Sequence, residues 1–135
     1  PGNAGTLIRS AEALGAGGVV VLPGTADPWG PKVVRAASGS SLRLPVLEAE
    51  AADVLDRLRE WNTPLWVAEA DGEIVDRAEP QPQRLALVLG NEGAGVSATM
   101  RAAADRIVAI AMRGRVESLN AGIAGAILMD RLFGG

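Results

Sequence analysis

The side chains that could do chemistry in this 135-residue chain are few, because it contains no histidine, no cysteine and no tyrosine. The absence of histidine removes the usual general base, the commonest metal ligand and every Ser-His-Asp or Cys-His scheme. The absence of cysteine excludes disulfide scaffolds, thiolate zinc sites and cysteine nucleophiles, and is compatible with a reducing compartment. Any reaction must therefore use carboxylates, amides, hydroxyls, lysine, arginine or the backbone.

The first segment with chemical potential is residues 1–9, PGNAGTLIR. Asn3 and Gly5 precede a helical pattern, which would place an amide and backbone N–H groups at a helix N-terminus, where anions and hydroxyls bind. Arg9 follows near the end of the second turn. The segment is equally compatible with an N-cap asparagine and a solvent-exposed arginine.

The second segment is residues 89–97, LGNEGAGVS, which follows the most apolar strand pattern of the chain. Its three glycines permit close approach of the backbone to a ligand. The spacing matches neither the dinucleotide fingerprint nor the P-loop. Glu92 has little structural task in such a loop and is a candidate functional acid. The alternative is a flexible connector with one solvated carboxylate.

The third segment is residues 110–120, IAMRGRVESLN. Ser118 could cap the final helix and have no other role. Asn120, however, is a poor helix former just inside that helix, and the apolar Leu119 stands between the two polar residues. This pattern suggests a binding loop.

The elements that must position these segments alternate between helix and strand. Helices are predicted at residues 6–14, 32–37, 50–61, 97–104 and 119–132, and strands at 18–22, 44–47, 65–68, 84–89 and 106–111. This alternation predicts an α/β domain with a mostly parallel sheet flanked by helices. Ligands of such sheets bind beyond the carboxyl ends of the strands, which is where the three segments fall.

Three local expectations accompany this assignment. The β-branched run Val19–Val21 predicts a strand buried on both faces. The sequence SGSS at 38–41 predicts a stop after the second helix, and Asp71-Gly72 predicts the end of the third strand. Ser97 is the predicted cap of the helix that follows it.

The net charge of −3 is unevenly distributed. Residues 48–79 hold ten acidic and three basic side chains, a net charge of −7, whereas residues 1–47 and 80–135 each have a net charge of +2. A net-acidic chain is a poor prior for nucleic-acid binding, yet the outer thirds could still present a basic surface to phosphates. No run of 18 apolar residues occurs, so no membrane partner is expected.

The three segments together resemble the three motifs of the SpoU (TrmH-like) branch of the SPOUT RNA methyltransferases, and ASGSSLRLPV at 37–46 also looks like that family. The resemblance runs from Pro1 to about Leu132. Ala111 stands where the family commonly has proline, and Ala121-Gly122 replaces a more usual Val-Ser or Val-Ala.

The resemblance implies a fold and an activity. Residues 1–135 are expected to be a catalytic domain that lacks the strand before Pro1 and any N-terminal RNA-recognition domain. Its C-terminal region would form a deep trefoil knot. The domain would transfer the methyl group of S-adenosylmethionine to a ribose 2′-OH of rRNA or tRNA, as a cytoplasmic homodimer joined through the knotted region.

The resemblance also carries over individual residues. The catalytic positions correspond to Asn3, Arg9, Glu92, Ser118 and Asn120. Positions that line the cofactor correspond to Gly90, Ile110 and Leu119, with Leu89 and Met112 as neighbours.

The roles of these residues can be argued chemically. Transfer from a sulfonium is an in-line displacement that depends on proximity and alignment. A guanidinium stays charged in proteins, so Arg9 is better suited to hold a phosphate than to act as a free-standing base. Glu92 is then the expected proton acceptor, with Asn3, Ser118 and Asn120 orienting the ribose.

Two other functions remain open on the sequence alone. A catalytically silent module would bind S-adenosylmethionine or RNA and transfer nothing. A structural domain would use the small-residue helix at 121–132 only as a dimer face. Neither role needs the polar set Arg9, Glu92, Ser118 and Asn120.

Overall fold

The computed structural model describes residues 2–25, 27–75, 78–90, 95–110 and 121–133. Within these ranges helices and strands alternate along most of the chain. In chain order the elements are α1 (Gly2–Ala13), β1 (Val19–Val21), α2 (Pro31–Ala37), α3 (Ser40–Arg43), β2 (Val46–Glu48), α4 (Ala51–Glu60), β3 (Leu65–Ile74), β4 (Ala86–Leu89), α5 (Ala98–Ala103), β5 (Arg106–Ala109) and α6 (Ala121–Phe133).

Every strand pair in these ranges is parallel. β1 pairs with β2, and β3 pairs with both β4 and β5. The strands form a two-stranded sheet and a three-stranded sheet of order β4-β3-β5. Parallel strands need long crossovers, and helices supply several of them. The predicted α/β class with parallel strands flanked by helices is confirmed.

Strand β1 is buried on one face and open on the other. Val21 packs with Ile8 of α1 and Val33 of α2. Val20 points the other way and lies in register with Leu47, and both are exposed. The prediction that this strand is buried on both faces is therefore wrong, because the helices α1 and α2 cover one face and the described residues leave the other open here.

Helix α1 begins at Gly2, four residues before the predicted start, so Asn3 lies inside the helix and is not its N-cap. Asn3 and Gly5 were expected to precede the helix, but both lie within it, because α1 packs against α2 at Gly5. A Cβ at Gly5 would overlap the Cβ of Ala36 and approach the carbonyl oxygen of Val33 to 2.7 Å. Gly5 is therefore the point at which α1 and α2 touch most closely.

The predicted stop at 38–41 is only half correct. Ser38 and Gly39 have φ of 53° and 88°, left-handed values that end α2. A further turn, α3, then begins at Ser40. It is held by Glu12 of α1, whose carboxylate accepts hydrogen bonds from the Ser40 hydroxyl at 3.3 Å and from Arg43 Nε at 2.8 Å.

Strand β3 continues through Asp71-Gly72 to Ile74, so the predicted end at this pair is wrong. The pair instead marks an irregularity in the pairing with β5, since Ala68 and Glu73 both align with Val108. The Gly72 backbone lies against that residue, and a Cβ at Gly72 would come within 2.7 Å of the Val108 nitrogen.

Helix α6 joins the two halves of the core. Leu128 packs with Trp66 and Val108 of the three-stranded sheet. Met129 packs with Ala11 of α1 and with Leu44. The predicted small-residue helix is thus confirmed from residue 121 onward, and its predicted first two residues lie outside the described residues.

The remaining elements match their predictions within a few residues. Ser97 caps α5, since its hydroxyl accepts a hydrogen bond from the Met100 N–H at 3.3 Å. Leu55 is the buried residue of the amphipathic α4 and packs with Leu65 and Met100. No helix in the described part of the chain is long and apolar enough to cross a bilayer.

Candidate functional site

The candidate site lies at the carboxyl edge of the three-stranded sheet. Gly90 follows the end of β4 and Ile110 follows the end of β5. Ala68 of β3 aligns with Leu89 on one side and with Val108 on the other. Gly90 and Ile110 are therefore separated by two strand spacings, about 9–10 Å. Strands β4 and β5 therefore end at one edge of the sheet, which is where the second and third segments begin.

Apolar packing ties this edge together. Leu89 and Ile110 both pack against the buried cluster that includes Val75 and Leu128. Leu89 also contacts α6 at Gly125, where a Cβ would lie 2.8 Å from Leu89 Cδ1. The same Cβ would overlap Leu7 Cδ2 of α1. Helices α1 and α6 therefore converge on the end of β4.

Gly90 is required by its surroundings. A Cβ at this position would lie 2.6 Å from the Gly95 carbonyl carbon and 2.7 Å from the Val96 nitrogen. These are backbone atoms, which cannot turn away as a flexible side chain would. Gly90 itself is partly exposed. Gly95 and Val96 therefore pack against Gly90, whose backbone stays partly accessible at the sheet edge.

Helix α1 contributes Asn3, which is partly buried, and Arg9, which is exposed. Residues four apart lie on one helix face, so Asn3 shares the face of Leu7, which is directed at α6 and the end of β4. Arg9 is two residues beyond Leu7 and is rotated by about 200° around the axis. Asn3 therefore lies on the face of α1 that carries Leu7, and Arg9 lies on another face.

Arg9 makes no ion pair or hydrogen bond within the described ranges. By contrast, Arg43 of α3 forms an ion pair with Glu12, which lies near the C-terminus of α1, at 2.8 Å. An exposed guanidinium with no internal carboxylate partner is available to an external anion.

Five predicted site residues lie outside the described residues: Glu92, Met112, Ser118, Leu119 and Asn120. The described half of the predicted site consists of Asn3, Arg9, Leu89, Gly90 and Ile110.

Two further residues shape this edge of the sheet, and the sequence pattern gives little sign of them. Leu7 and Gly125 join α1, α6 and the end of β4, yet Leu7 looks in the sequence like an ordinary stripe residue. A glycine in the interior of an apolar helix is the one available signal for Gly125, because such glycines often mark close packing.

The far end of β5 is a structural ion-pair cluster. Arg106 Nη2 lies 2.7 Å from a Glu73 oxygen, and the Arg106 Cζ is 4.6 Å from the centre of the Trp66 ring. The hydrogen bond to Glu73 raises the pKa of Arg106, partial burial opposes this, and attraction to Glu79 adds to it. The cluster joins β3 to β5 away from the carboxyl edge.

A separate cavity of about 570 Å³ lies beyond the carboxyl ends of β1 and β2. Four of its lining residues are acidic: Asp27, Glu48, Glu50 and Asp53. Within the described ranges no group of acidic side chains is arranged to hold a metal ion. The negative charge disfavours phosphate in this cavity.

The sequence of this chain matches a family of known proteins. Residues 1–130 match the SpoU rRNA Methylase family. The chain is 37% identical over 134 residues to the 23S rRNA (guanosine(2553)-2′-O)-methyltransferase RlmP of Bacillus subtilis, covering 99% of this chain and 54% of that protein. It is also 37% identical over 137 residues to the 23S rRNA (uridine(2479)-2′-O)-methyltransferase of Streptomyces viridochromogenes, covering 96% and 47%.

The fold of this chain is also similar to that of solved structures. The SpoU methyltransferase AviRb from Streptomyces viridochromogenes, solved in complex with the cofactor AdoMet, superposes with a TM-score of 0.91 at 34% identity, covering 98% of this chain and 52% of that chain. The chain spans about half the length of the curated relatives it matches. By sequence match and by fold, the chain belongs to the SpoU rRNA methylase family.

Proposed function

We propose that residues 1–135 form the catalytic domain of an RNA 2′-O-ribose methyltransferase that uses S-adenosylmethionine and acts on rRNA or tRNA. The observation that carries this proposal is the similarity along 98% of the chain to a SpoU methyltransferase solved with AdoMet. The two relatives named above as 23S rRNA 2′-O-methyltransferases support the substrate class.

The sheet edge fits a cofactor held by backbone groups. Gly90 is a cradle that a side chain would fill, and Leu89 and Ile110 are apolar neighbours at the same edge. We assign the cofactor to Leu89, Gly90, Ile110, Met112 and Leu119. When bound, S-adenosylmethionine supplies an electrophilic methyl group on a sulfonium.

The chain's own residues bind and orient the RNA. Arg9, exposed and without a described carboxylate partner, holds a phosphate of the target strand through its guanidinium. Asn3, on the α1 face that carries Leu7, orients the ribose together with Ser118 and Asn120. Glu92 accepts the proton of the 2′-hydroxyl, since carboxylates are the available bases in a chain without histidine.

The remaining assignments follow from family membership. We infer a deep trefoil knot in the C-terminal region, a homodimer joined through that region, and a cytoplasmic location where RNA substrates occur. Ile123 on α6 is an apolar side chain that is 54% accessible, which supports a contact face on this helix.

The test is isothermal titration of the chain with S-adenosylmethionine, with S-adenosylhomocysteine as a control, followed by transfer of labelled methyl groups to 23S rRNA. Saturable binding with ribose methylation is the expected result. Binding without transfer to 23S rRNA or to tRNA would support the catalytically silent alternative. A folded chain that binds neither compound would contradict the proposed cofactor site.

A further inference from the structure

The described cations divide into two groups. Arg43 of α3 is neutralised by Glu12 of α1, and four arginines on the later elements are also neutralised by carboxylates. These pairs are Arg57 with Glu60, Arg59 with Asp56, Arg101 with Glu69, and Arg106 with Glu73. Arg9 on α1 and Lys32 and Arg35 on α2 have no carboxylate partner within the described ranges. Arg84 and Arg131 also lack a carboxylate partner within the described ranges, but each is the single cation of its range, 78–90 and 121–133.

Two of the three cations flank the contact between α1 and α2, and the third, Arg35, is exposed on α2. Gly5 of α1 touches Ala36 of α2 at the closest point between the helices. Lys32 lies one turn before Ala36 and Arg9 lies one turn after Gly5, so each flanks this seam. Helix α2 contains no acidic residue. The surface therefore concentrates positive charge on a chain whose net charge is −3.

An exposed aromatic ring stands beside this surface. Trp29, three residues before Lys32, is 49% accessible. Its backbone is held in a turn, since the Trp29 N–H donates to Asp27 Oδ1 at 2.9 Å and the Gly30 N–H donates to the Asp27 carbonyl at 3.1 Å. Pro28 is fully buried and anchors the turn. The ring is thus presented at the surface by a constrained backbone.

We propose that Trp29, Lys32 and Arg35 form a contact surface for single-stranded RNA next to Arg9. The Trp29 ring stacks on one nucleobase, and the two α2 cations bind neighbouring phosphates. This inference rests on the proposed function and extends it to the nucleotides that flank the methylated ribose. Stacking tolerates any base, so the surface contributes affinity and register more than sequence choice.

The acidic cavity beyond β1 and β2 limits where the RNA strand can run. Three of its carboxylates, Glu48, Glu50 and Asp53, belong to β2 and the start of α4, and the fourth, Asp27, lies two residues before Trp29. Phosphates are disfavoured at this cavity, and the strand therefore passes over α2 and the α1–α2 seam.

The chain offers matched controls for a test. Trp61, 54% accessible, ends α4 as an exposed tryptophan on the acidic part of the chain. Arg57 and Arg59 are two exposed cations on the same helix. The comparison is therefore Trp29→Ala against Trp61→Ala, and Lys32→Ala/Arg35→Ala against Arg57→Ala/Arg59→Ala.

Binding of a fluorescein-labelled 15-nucleotide single-stranded RNA of mixed sequence is measured by anisotropy at several salt concentrations. Trp29→Ala should weaken binding about 5- to 160-fold, the range of one base stacked on one aromatic ring. Lys32→Ala/Arg35→Ala should reduce the slope of log K against log[salt] by about 1.4, since each single-strand phosphate contact contributes about 0.7. Both control variants should bind within about twofold of the wild type.

Three outcomes would overturn the inference. If the wild type binds and methylates RNA while the α2 and Trp29 variants match their controls, this surface is not used and the proposed function stands. If the variants lose RNA binding together with melting temperature or S-adenosylmethionine affinity, their role is structural. If the wild type binds no RNA of any kind, the proposed function fails as well.

Discussion

Gly90 owes its identity to neighbours in space and not to helix or strand propensity. The backbone of Gly95 and Val96 occupies the volume that a side chain would need. A glycine that is required in this way, at the carboxyl end of a parallel strand, is typical of a backbone-lined ligand site.

Gly90→Val should therefore damage the site directly. We expect S-adenosylmethionine affinity to fall at least tenfold and unfolding stability to fall by about 1–3 kcal/mol, the usual effect of overpacking. Titration calorimetry and thermal melting measure the two effects. Gly17→Val is the control, because a Cβ at Gly17 meets nothing within 4 Å. Unchanged affinity in Gly90→Val would exclude this glycine from the cofactor site.

The roles proposed for Arg9 and Glu92 can be tested separately. Arg9 is exposed and unpaired within the described ranges, so Arg9→Ala should leave the melting temperature unchanged and weaken RNA binding. Glu92→Gln should keep both binding steps and lower turnover about 10²- to 10⁴-fold, the range of a general base.

Single-turnover methylation and RNA binding assays on both variants separate these roles. Near-normal turnover in Glu92→Gln, combined with loss of RNA binding and turnover in Arg9→Ala, would rule out Glu92 as the proton acceptor.

At the scale of elements, two glycines set how closely the helices approach. Gly5 lets α1 meet α2 through backbone and Cβ atoms. Gly125 lets α6 meet α1 and β4 through the ends of Leu7 and Leu89, which are flexible side chains. The two seams should therefore respond differently to an added methyl group.

Gly5→Ala should destabilise the fold by about 1–3 kcal/mol, although Gly→Ala in an ordinary helix stabilises by about 0.5–1 kcal/mol. Gly125→Ala should have a smaller effect on stability, because leucine side chains can shift, but should displace Leu89 and weaken cofactor binding. Chemical denaturation and calorimetry measure both. A more stable Gly5→Ala variant would contradict the packing described for α1 and α2.

At the scale of the whole molecule, the proposed homodimer places α6 at its interface. Ile123 is exposed on this helix, and burying it against a second copy would remove apolar surface from water. A dimer of this kind makes the melting temperature depend on protein concentration.

Ile123→Glu should shift the chain toward monomer in sedimentation velocity and abolish that concentration dependence. Leu42→Glu is the matched control, since Leu42 is an exposed leucine on α3. Dissociation by Leu42→Glu, with a dimer retained in Ile123→Glu, would place the interface elsewhere.

Local patterns predicted most elements because their causes are local. The apolar stripe of α4, the Ser97 cap of α5 and the apolar run of β4 are all encoded within a few residues. The predictions failed where a distant partner decides. Asn3 and Gly5 were expected before the first helix, whereas both lie inside α1, where Gly5 packs against Ala36. Helix α3 depends on Glu12, 28 residues before Ser40.

The sequence by itself determined the α/β class, the excluded chemistries and, through its three motifs, the family. The class and the excluded chemistries follow from residue types and short-range periodicity, and the family follows from the resemblance of the three motifs to those of known members. Only the tertiary structure decided that Asn3 is partly buried inside α1 while Arg9 is exposed on another face of that helix. It also decided that Gly125 joins Leu7 to Leu89 and that Trp29 is exposed in the turn before α2. These facts depend on contacts between residues far apart in the chain, which no local pattern encodes.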